Sequence, residues 1–326
     1  MANYYFNKKL KHTHESFVIN RLYLLLIFKE MNKINLQNKG WQWITLIFLS
    51  LVWGSSFILM KKGLRSYTHD QVAALRMFIS FLAFLPFGIK NLKKITRENI
   101  YSLLVVGFVG SVIPAFLFTK AQTQIDSALA GVLNSMTPLF TLIIGFLFYN
   151  SKTRIINTLG IFLGLIGALG LIVFTSGSNS ILNNINYYGL FIVVATICYG
   201  INVNQVKYKI KNLTSIELTS MAFMFVGPFA ATYLLLSDFS FAKSTNDYLL
   251  NLGYIAILAV VGTVIALIIF NALIQNTTAL FSSSVTYIIP VFAIMWGIFD
   301  GEKVSLIQIF WISLIFIGVY LVNQRK

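Results

Sequence analysis

Apolar runs about as long as a bilayer is thick follow one another along this chain, separated by short polar stretches. A helix rises about 1.5 Å per residue, so roughly 20 apolar residues cross a hydrocarbon core about 30 Å thick. Ten runs of this kind are predicted as helices: Trp41–Met60, Gln71–Ile89, Ile100–Thr119, Ser127–Phe148, Ile156–Phe174, Tyr188–Val206, Leu218–Ser237, Leu249–Asn271, Ala279–Phe299 and Ser305–Val322. Within a bilayer every backbone polar group must be paired inside the segment, which selects helices for runs like these. The connections are short and leave no room for a soluble domain.

The pattern repeats. Pro138 and Pro290 lie 152 positions apart, and the same step places Phe140 on Phe292, Gly145 on Gly297, Val109-Gly110 on Val261-Gly262, and Phe118 on Phe270. A step of 146 lays Trp53-Gly54 on Tyr199-Gly200 and Lys61 on Lys207. Unbroken register through matched Gly and Pro positions predicts a duplication: residues 41–175 and 187–323, after a basic tail over 1–40. Five helices per copy is an odd number, so the second copy enters the membrane upside down. The expected fold is an all-α integral membrane protein of ten transmembrane helices in two inverted five-helix repeats.

Composition narrows the class further. Hydrophobic residues make up 57% and charged residues 11%, against about 25% charged in a soluble domain. The net charge of +15 does not point to nucleic acid, because the lysines and arginines sit between the apolar runs and in the tail. Lys90, Lys93, Lys94, Arg97, Lys152, Arg154, Lys207, Lys209 and Lys211 fall on one predicted face, which places both termini in the cytoplasm of a bacterial-type inner membrane. A single Cys198 rules out an intrachain disulfide, and His12, His14 and His69 all lie outside the runs, so no cofactor and no metal are expected. The stretch Phe17–Phe28, interrupted by Asn20 and Arg21, is too short to span. It reads as an interfacial helix or a tail, or else translation starts at Met31, whose MNKINLQNKGW is a short basic lead into a first membrane helix.

Several stretches carry a family resemblance: WGSSFILMKKGL at Trp53–Leu64, AALRMFISFLAFLPFG at Ala73–Gly88, SALAGVLNSMTPLFTLIIGFLF at Ser127–Phe148, SSSVTYIIPVFAIMWGIFDGE at Ser282–Glu302 and IFIGVYLV at Ile315–Val322. In order and spacing they resemble the EamA-type transporters of the drug/metabolite transporter superfamily. The resemblance covers Trp41–Val322. It implies ten helices in two inverted repeats and transport of small metabolites, often export. Such transporters carry a Glu after the fourth helix of each repeat. Asp300-Gly301-Glu302 keeps it, whereas Tyr149-Asn150-Ser151 does not.

The candidate chemistry is sparse. Arg76 is the one charge well inside a run; it must snorkel, pair with a carboxylate such as Asp70, Asp126 or Glu302, or hold an anionic substrate group. Pro138 and Pro290 break helical bonding at matched depths and read as kinks or paired hinges. Asn134, Ser135 and Thr137 fall on the positions of Thr286, Tyr287 and Ile289, where backbone carbonyls freed by the kinks would join side-chain groups in a central cavity. Trp53, Asn134, Tyr199, Asn202, Tyr287 and Arg76 are the candidate substrate-binding residues, with Trp296 as a further wall. Gly160, Gly164, Gly167 and Gly170 form a small-residue stripe suited to close packing, including a homodimer face. Without a nucleophile–base pair or a nucleotide-binding loop, neither an enzyme nor an ATP-driven pump is expected. A secondary transporter of amino-acid-like or amphipathic metabolites, moving them through the lipid bilayer by alternating access, is the leading expectation. A non-transporting scaffold or lipid-binding protein is the alternative.

Overall fold

A computed structural model of the chain describes residues 36–151, 154–174, 187–301 and 305–323. Most of the basic tail, including the Met31 start, lies outside the described residues, as does Glu302. The chain divides into a short first unit ending at Trp43 and a second that begins at Ile44. In the first unit the Gln42 side-chain amide donates to the Leu36 carbonyl at 2.8 Å, closing the turn that precedes the first helix.

Among the described residues the regular structure is helical. The long helices are α1 (Lys39–Gly63), α2 (His69–Asn91), α3 (Ile100–Ala121), α4 (Ser127–Tyr149), α5 (Ile155–Phe174), α6 (Tyr188–Lys209), α7 (Ser215–Leu236), α8 (Tyr248–Asn276), α9 (Ala279–Phe299) and α10 (Leu306–Asn323). Eight are long and apolar enough to cross a membrane; α5 and α10 contribute shorter apolar stretches. The chain is an all-helical integral membrane protein.

Local chemistry explains where the helices begin and break. Thr68 and Thr214, 146 positions apart, both build capping boxes, with Gln71 and Glu217 reaching back to the cap backbone. Each satisfies two of the donors that a helix start leaves open. The fourth helix of each half is interrupted at mid-length. In α4 the helix stops at Asn134 and restarts at Thr137. In α9 a 3₁₀ segment, Ser284–Tyr287, separates two pieces. Pro138 and Pro290 sit in the first turn of the second piece in each case, where the missing N–H costs nothing. Two further irregularities are also matched. Residues Val105–Val112 of α3 and Val260–Ile265 of α8 are π-helical.

The halves interlock through small residues. A Cβ on Gly54 of α1 would lie 2.5 Å from Phe292 of α9, and one on Gly200 of α6 would lie 2.9 Å from the Phe140–Thr141 backbone of α4. These are matched contacts: the first helix of each half crosses the fourth helix of the other. Helix α2 packs on α7, where Phe84 and Phe223 meet at 4.9 Å, both fully buried. With lipid outside as apolar as the side chains inside, such close packing is what holds membrane helices together. The glycine stripe of α5 is covered by α10 of the same chain, with Gly164 against Gly318 and both Gly167 and Gly170 against the Trp311–Ile315 segment. That contact occupies the face expected to suit a homodimer.

Candidate functional site

Helices α1, α2, α3, α4, α6, α8 and α9 enclose a cavity with a volume of about 80 Å³. At roughly 10–15 Å³ per water centre it holds a handful of waters or one small solute. Its lining is organised in pairs. Trp53 and Tyr199, Ser56 and Asn202, and Phe57 and Val203 are related by the 146-residue step; Gly110 and Gly262, Ser111 and Thr263, Phe118 and Phe270, and Asn134 and Thr286 by the 152-residue step. Even the ring contacts recur. Trp53 meets Phe270 edge-on at 4.9 Å, and Tyr199 stacks on Phe118 at 6.0 Å. The cavity therefore forms where the two halves contribute the same positions.

The π-helical segments shape its walls. Adding one residue to a helical turn shifts the hydrogen-bond register, and such bulges gather at functional sites. Ser111 Oγ donates to the Val106 carbonyl and Thr263 Oγ1 to the Leu258 carbonyl, each five residues back and each at 3.3 Å. Gly110 and Gly262 sit beside these hydroxyls. A Cβ on Gly110 would come within 2.5 Å of the Asn202 amide, and one on Gly262 within 2.9 Å of Ser56 Oγ. The Gly262 carbonyl accepts Trp53 Nε1–H at 3.0 Å, locking the indole.

One lining position breaks the pairing in charge. Arg76 of α2 matches Ala222 of α7 by the 146-residue step. Its Nε–H donates to Thr263 Oγ1 at 2.8 Å, and it makes no ion pair among the described residues. Asp70 Oδ1 lies instead 2.8 Å from His69 Nδ1. No hydrogen bond within the described residues engages the two terminal guanidinium nitrogens, and no carboxylate lines the cavity. Asn134 and Asn202 supply the complementary lack, since each has a buried side-chain oxygen without a partner. Buried polar atoms are nearly always paired, so such orphans on a cavity wall mark a place for a solute's donors.

Of the six residues expected to bind substrate, Trp53, Arg76, Asn134, Tyr199 and Asn202 come together around this cavity. Tyr287 is absent from the lining. It packs against the apolar core with its hydroxyl buried and unpartnered, and Thr286 takes the wall position. Trp296 also lies elsewhere, at the α1–α9 seam, where its Nε1–H donates to Ser55 Oγ at 2.9 Å. The carbonyls expected to open into the cavity are taken by neighbouring hydroxyls. Thr137 Oγ1 donates to the Asn134 carbonyl at 2.8 Å, Ser135 Oγ to Val132 at 2.6 Å, Thr286 Oγ1 to Ser283 at 2.9 Å and Ser50 Oγ to Val285 at 2.9 Å. Sequence reasoning missed Ser111, Thr263 and the two lining glycines as site residues. Their signal was present in the Val-Gly match at both positions.

The two cross-half seams end differently. Where α1 meets α9, Asp300 is held by Lys62 at 2.5 Å, Lys61 at 3.3 Å and Arg65 at 3.8 Å. The Lys62 hydrogen bond, followed by Lys61, holds the Asp300 carboxyl below its ordinary range against the opposing effect of burial. Where α6 meets α4, Tyr149 stacks on Tyr208 at 5.1 Å, and its hydroxyl donates to Gln205 Oε1 at 2.7 Å. Gln205 in turn donates to Ser102 Oγ at 2.8 Å.

The EamA-like transporter family matches the chain at residues 22–173 and again at 187–324. The uncharacterized inner membrane transporter YedA of Escherichia coli (strain K12) is 26% identical over 294 residues, covering 86% of this chain and 90% of that protein. An uncharacterized transporter of Archaeoglobus fulgidus is 25% identical over 287 residues, 87% of this chain and 99% of that one. The uncharacterized transporter YoaV of Bacillus subtilis (strain 168) is 24% identical, covering 85% and 94%. A crystal structure of a protein only 15% identical shares the fold, with a TM-score of 0.63 over 88% of this chain and 97% of its own.

Proposed function

This chain belongs to the EamA-like transporter family, and from that premise we propose that it is a secondary transporter of small amino-acid-like zwitterions, exporting them by alternating access through the paired cavity. The observation that carries the substrate reading is the charge pattern of the wall. Arg76 offers a planar fork without a protein carboxylate, which suits a substrate carboxylate bound bidentately. Asn134 and Asn202 offer unpaired oxygens to an ammonium, and Trp53 and Tyr199 offer ring faces worth about 0.5–2 kcal/mol to a cation. Phe57, Met60, Met77 and Leu267 leave the rest of the wall apolar, favouring an apolar side chain.

Inverted repeats are the arrangement that lets one cavity face either side, and the matched lining supports that reading. Lysine and arginine placement supports cytoplasmic termini, and the inner membrane relative supports a cytoplasmic-membrane location. Intramembrane carboxylates are the usual proton relays, and none of the described residues that line the cavity is one, so the expected mode is exchange or facilitated flux.

Purified protein in liposomes tests this. L-leucine preloaded inside should drive counterflow of labelled L-leucine, without accumulation in response to a pH gradient. Leucine-independent signals, or accumulation abolished by an uncoupler, would sink the reading. In a Cys198-free background, cysteines at Ser178 and Lys94 should label from opposite sides; labelling from the same side would overturn the inverted arrangement.

A further inference from the structure

The preceding reading requires Arg76 to present its fork in one orientation. An arginine on a helix has four rotatable side-chain bonds, and charge alone does not aim its terminal nitrogens. Here the aim comes from another helix. Thr263 Oγ1 lies 2.8 Å from Arg76 Nε, and the same hydroxyl reaches the Leu258 carbonyl at 3.3 Å. An arginine N–H can only donate. The Thr263 hydroxyl proton is therefore committed to Leu258, and its lone pair to Arg76. The π-helical register of Val260–Ile265 creates this geometry by bringing the Leu258 carbonyl within reach of a residue five positions later. One turn along, the Ser80 hydroxyl is shared between the Arg76 carbonyl of its own helix at 2.8 Å and the Ala259 carbonyl of α8 at 3.1 Å.

The matched site is the internal control. Ser111 makes the corresponding bond to Val106, but the position matching Arg76 is Ala222, so that hydroxyl aims nothing. Both halves thus carry the hydroxyl as part of the bulge, and one half has put a charge against it.

We propose that the Thr263 hydroxyl is the positioning residue that orients the Arg76 fork and so sets the cavity's preference for a planar carboxylate over a neutral amide. This rests on the zwitterion reading above. With Nε held, the guanidinium plane is fixed at the cavity wall and its two terminal nitrogens stay a rigid pair, the geometry that bidentate carboxylate recognition needs. Released, Arg76 remains a charge but stops being a template.

Two readouts test it on the full chain. The first uses protein labelled with ¹⁵N at arginine Nε, with Arg76→Lys assigning the resonance. The Arg76 Nε–H should be protected from water exchange in the native protein, lose protection in Thr263→Val and regain it in Thr263→Ser. The second is competition against labelled L-leucine in liposomes, with L-leucine and L-leucinamide as probes. Thr263→Val should weaken leucine by about tenfold, as expected for a lost hydrogen bond to a charged group. It should also shrink the leucine-to-leucinamide preference by about the same factor, with Thr263→Ser restoring it. Retained protection in Thr263→Val, or an unchanged leucine-to-leucinamide ratio, overturns the proposal. If native protein moves no leucine while the protection pattern holds, the zwitterion reading fails and the positioning of Arg76 by Thr263 stands.

Discussion

Around the cavity the two halves of the chain contribute seven matched pairs; at the ends of their fourth helices and in the charge of one wall position they differ. The matching extends to the ring that each first-helix aromatic touches. Yet Arg76 is matched by Ala222 in the other half, and the ionic cluster on Asp300 is matched by the neutral Tyr149–Gln205–Ser102 chain. The scaffold is common to the halves, and their difference in charge is confined to a few substitutions on it.

The largest expected effect is at the charged position. Arg76→Ala should leave a folded protein with at least a hundredfold loss of carboxylate transport, roughly the value of a desolvated charge pair. Ala222→Arg should instead abolish recovery of monodisperse protein. Ala222 is fully buried and its carbonyl lies 3.0 Å from where a Gly107 Cβ would stand, so an arginine there buries an unpaired charge at about 3–5 kcal/mol. Equal tolerance at both positions would remove the asymmetry.

The lining glycines come next. Gly110→Ala forces the Asn202 amide away from a 2.5 Å contact, whereas Gly262→Ala meets the Ser56 hydroxyl at 2.9 Å and the end of the Leu258 side chain at 3.2 Å, both looser contacts. Apparent leucine affinity in liposomes should fall by about tenfold for the first, equivalent to 1.4 kcal/mol, and less for the second. The reverse order would show that the halves do not share the binding load as the unpaired Asn202 oxygen indicates.

The seam at Asp300 should separate from its counterpart by pH. Its lowered carboxyl means that the clamp's contribution to stability is present above the unfolded aspartate range, near pH 4, and lost as pH falls through the depressed folded value. The melting difference between the native protein and Asp300→Asn should be constant from pH 7 to about 5 and shrink below about 4. Tyr149→Phe should show no such dependence over that range, its lost bond being neutral. The smallest effects are at the matched caps, where Thr68→Ala and Thr214→Ala should each cost about 1 kcal/mol. Unequal costs would show that the neighbouring Lys94–Glu217 pair reinforces only the second box.

The apolar runs made the helices legible because burial in lipid leaves so few alternatives to them. The repeat was legible because Gly54 and Gly200 sit at close contacts that admit no Cβ, and Pro138 and Pro290 sit at helix restarts that suit proline. Of the six candidate residues, depth and matching point to Trp53, Asn134, Tyr199 and Asn202 and the lone charge within a run to Arg76, and these five line the cavity. Tyr287 does not, because the segment Ser284–Tyr287 winds as a 3₁₀ helix. Its three residues per turn, in place of 3.6, rotate the following side chain off the expected face. The π segments were invisible for a related reason: VVGFVGSV and VVGTVI have the composition of ordinary membrane helix, and a register shift leaves no compositional mark. The fate of the freed carbonyls was also hidden, since it depends on whether each nearby hydroxyl turns inward to the backbone or outward to the cavity.

The uncompensated guanidinium also has an electrical consequence. A charge carried across the whole bilayer changes energy by about 2.3 kcal/mol per 100 mV, and proportionately less for a partial crossing. A zwitterion adds nothing to that charge, so the empty and the filled carrier feel the membrane voltage equally. Voltage then alters how fast the cavity changes sides in either state but stores no energy in the substrate gradient. A solute bearing only the carboxylate would cancel Arg76 and turn the same movement electrically silent, so like-for-like exchange of either solute carries no net current, whereas exchange of a zwitterion for such an anion would move net charge in every cycle.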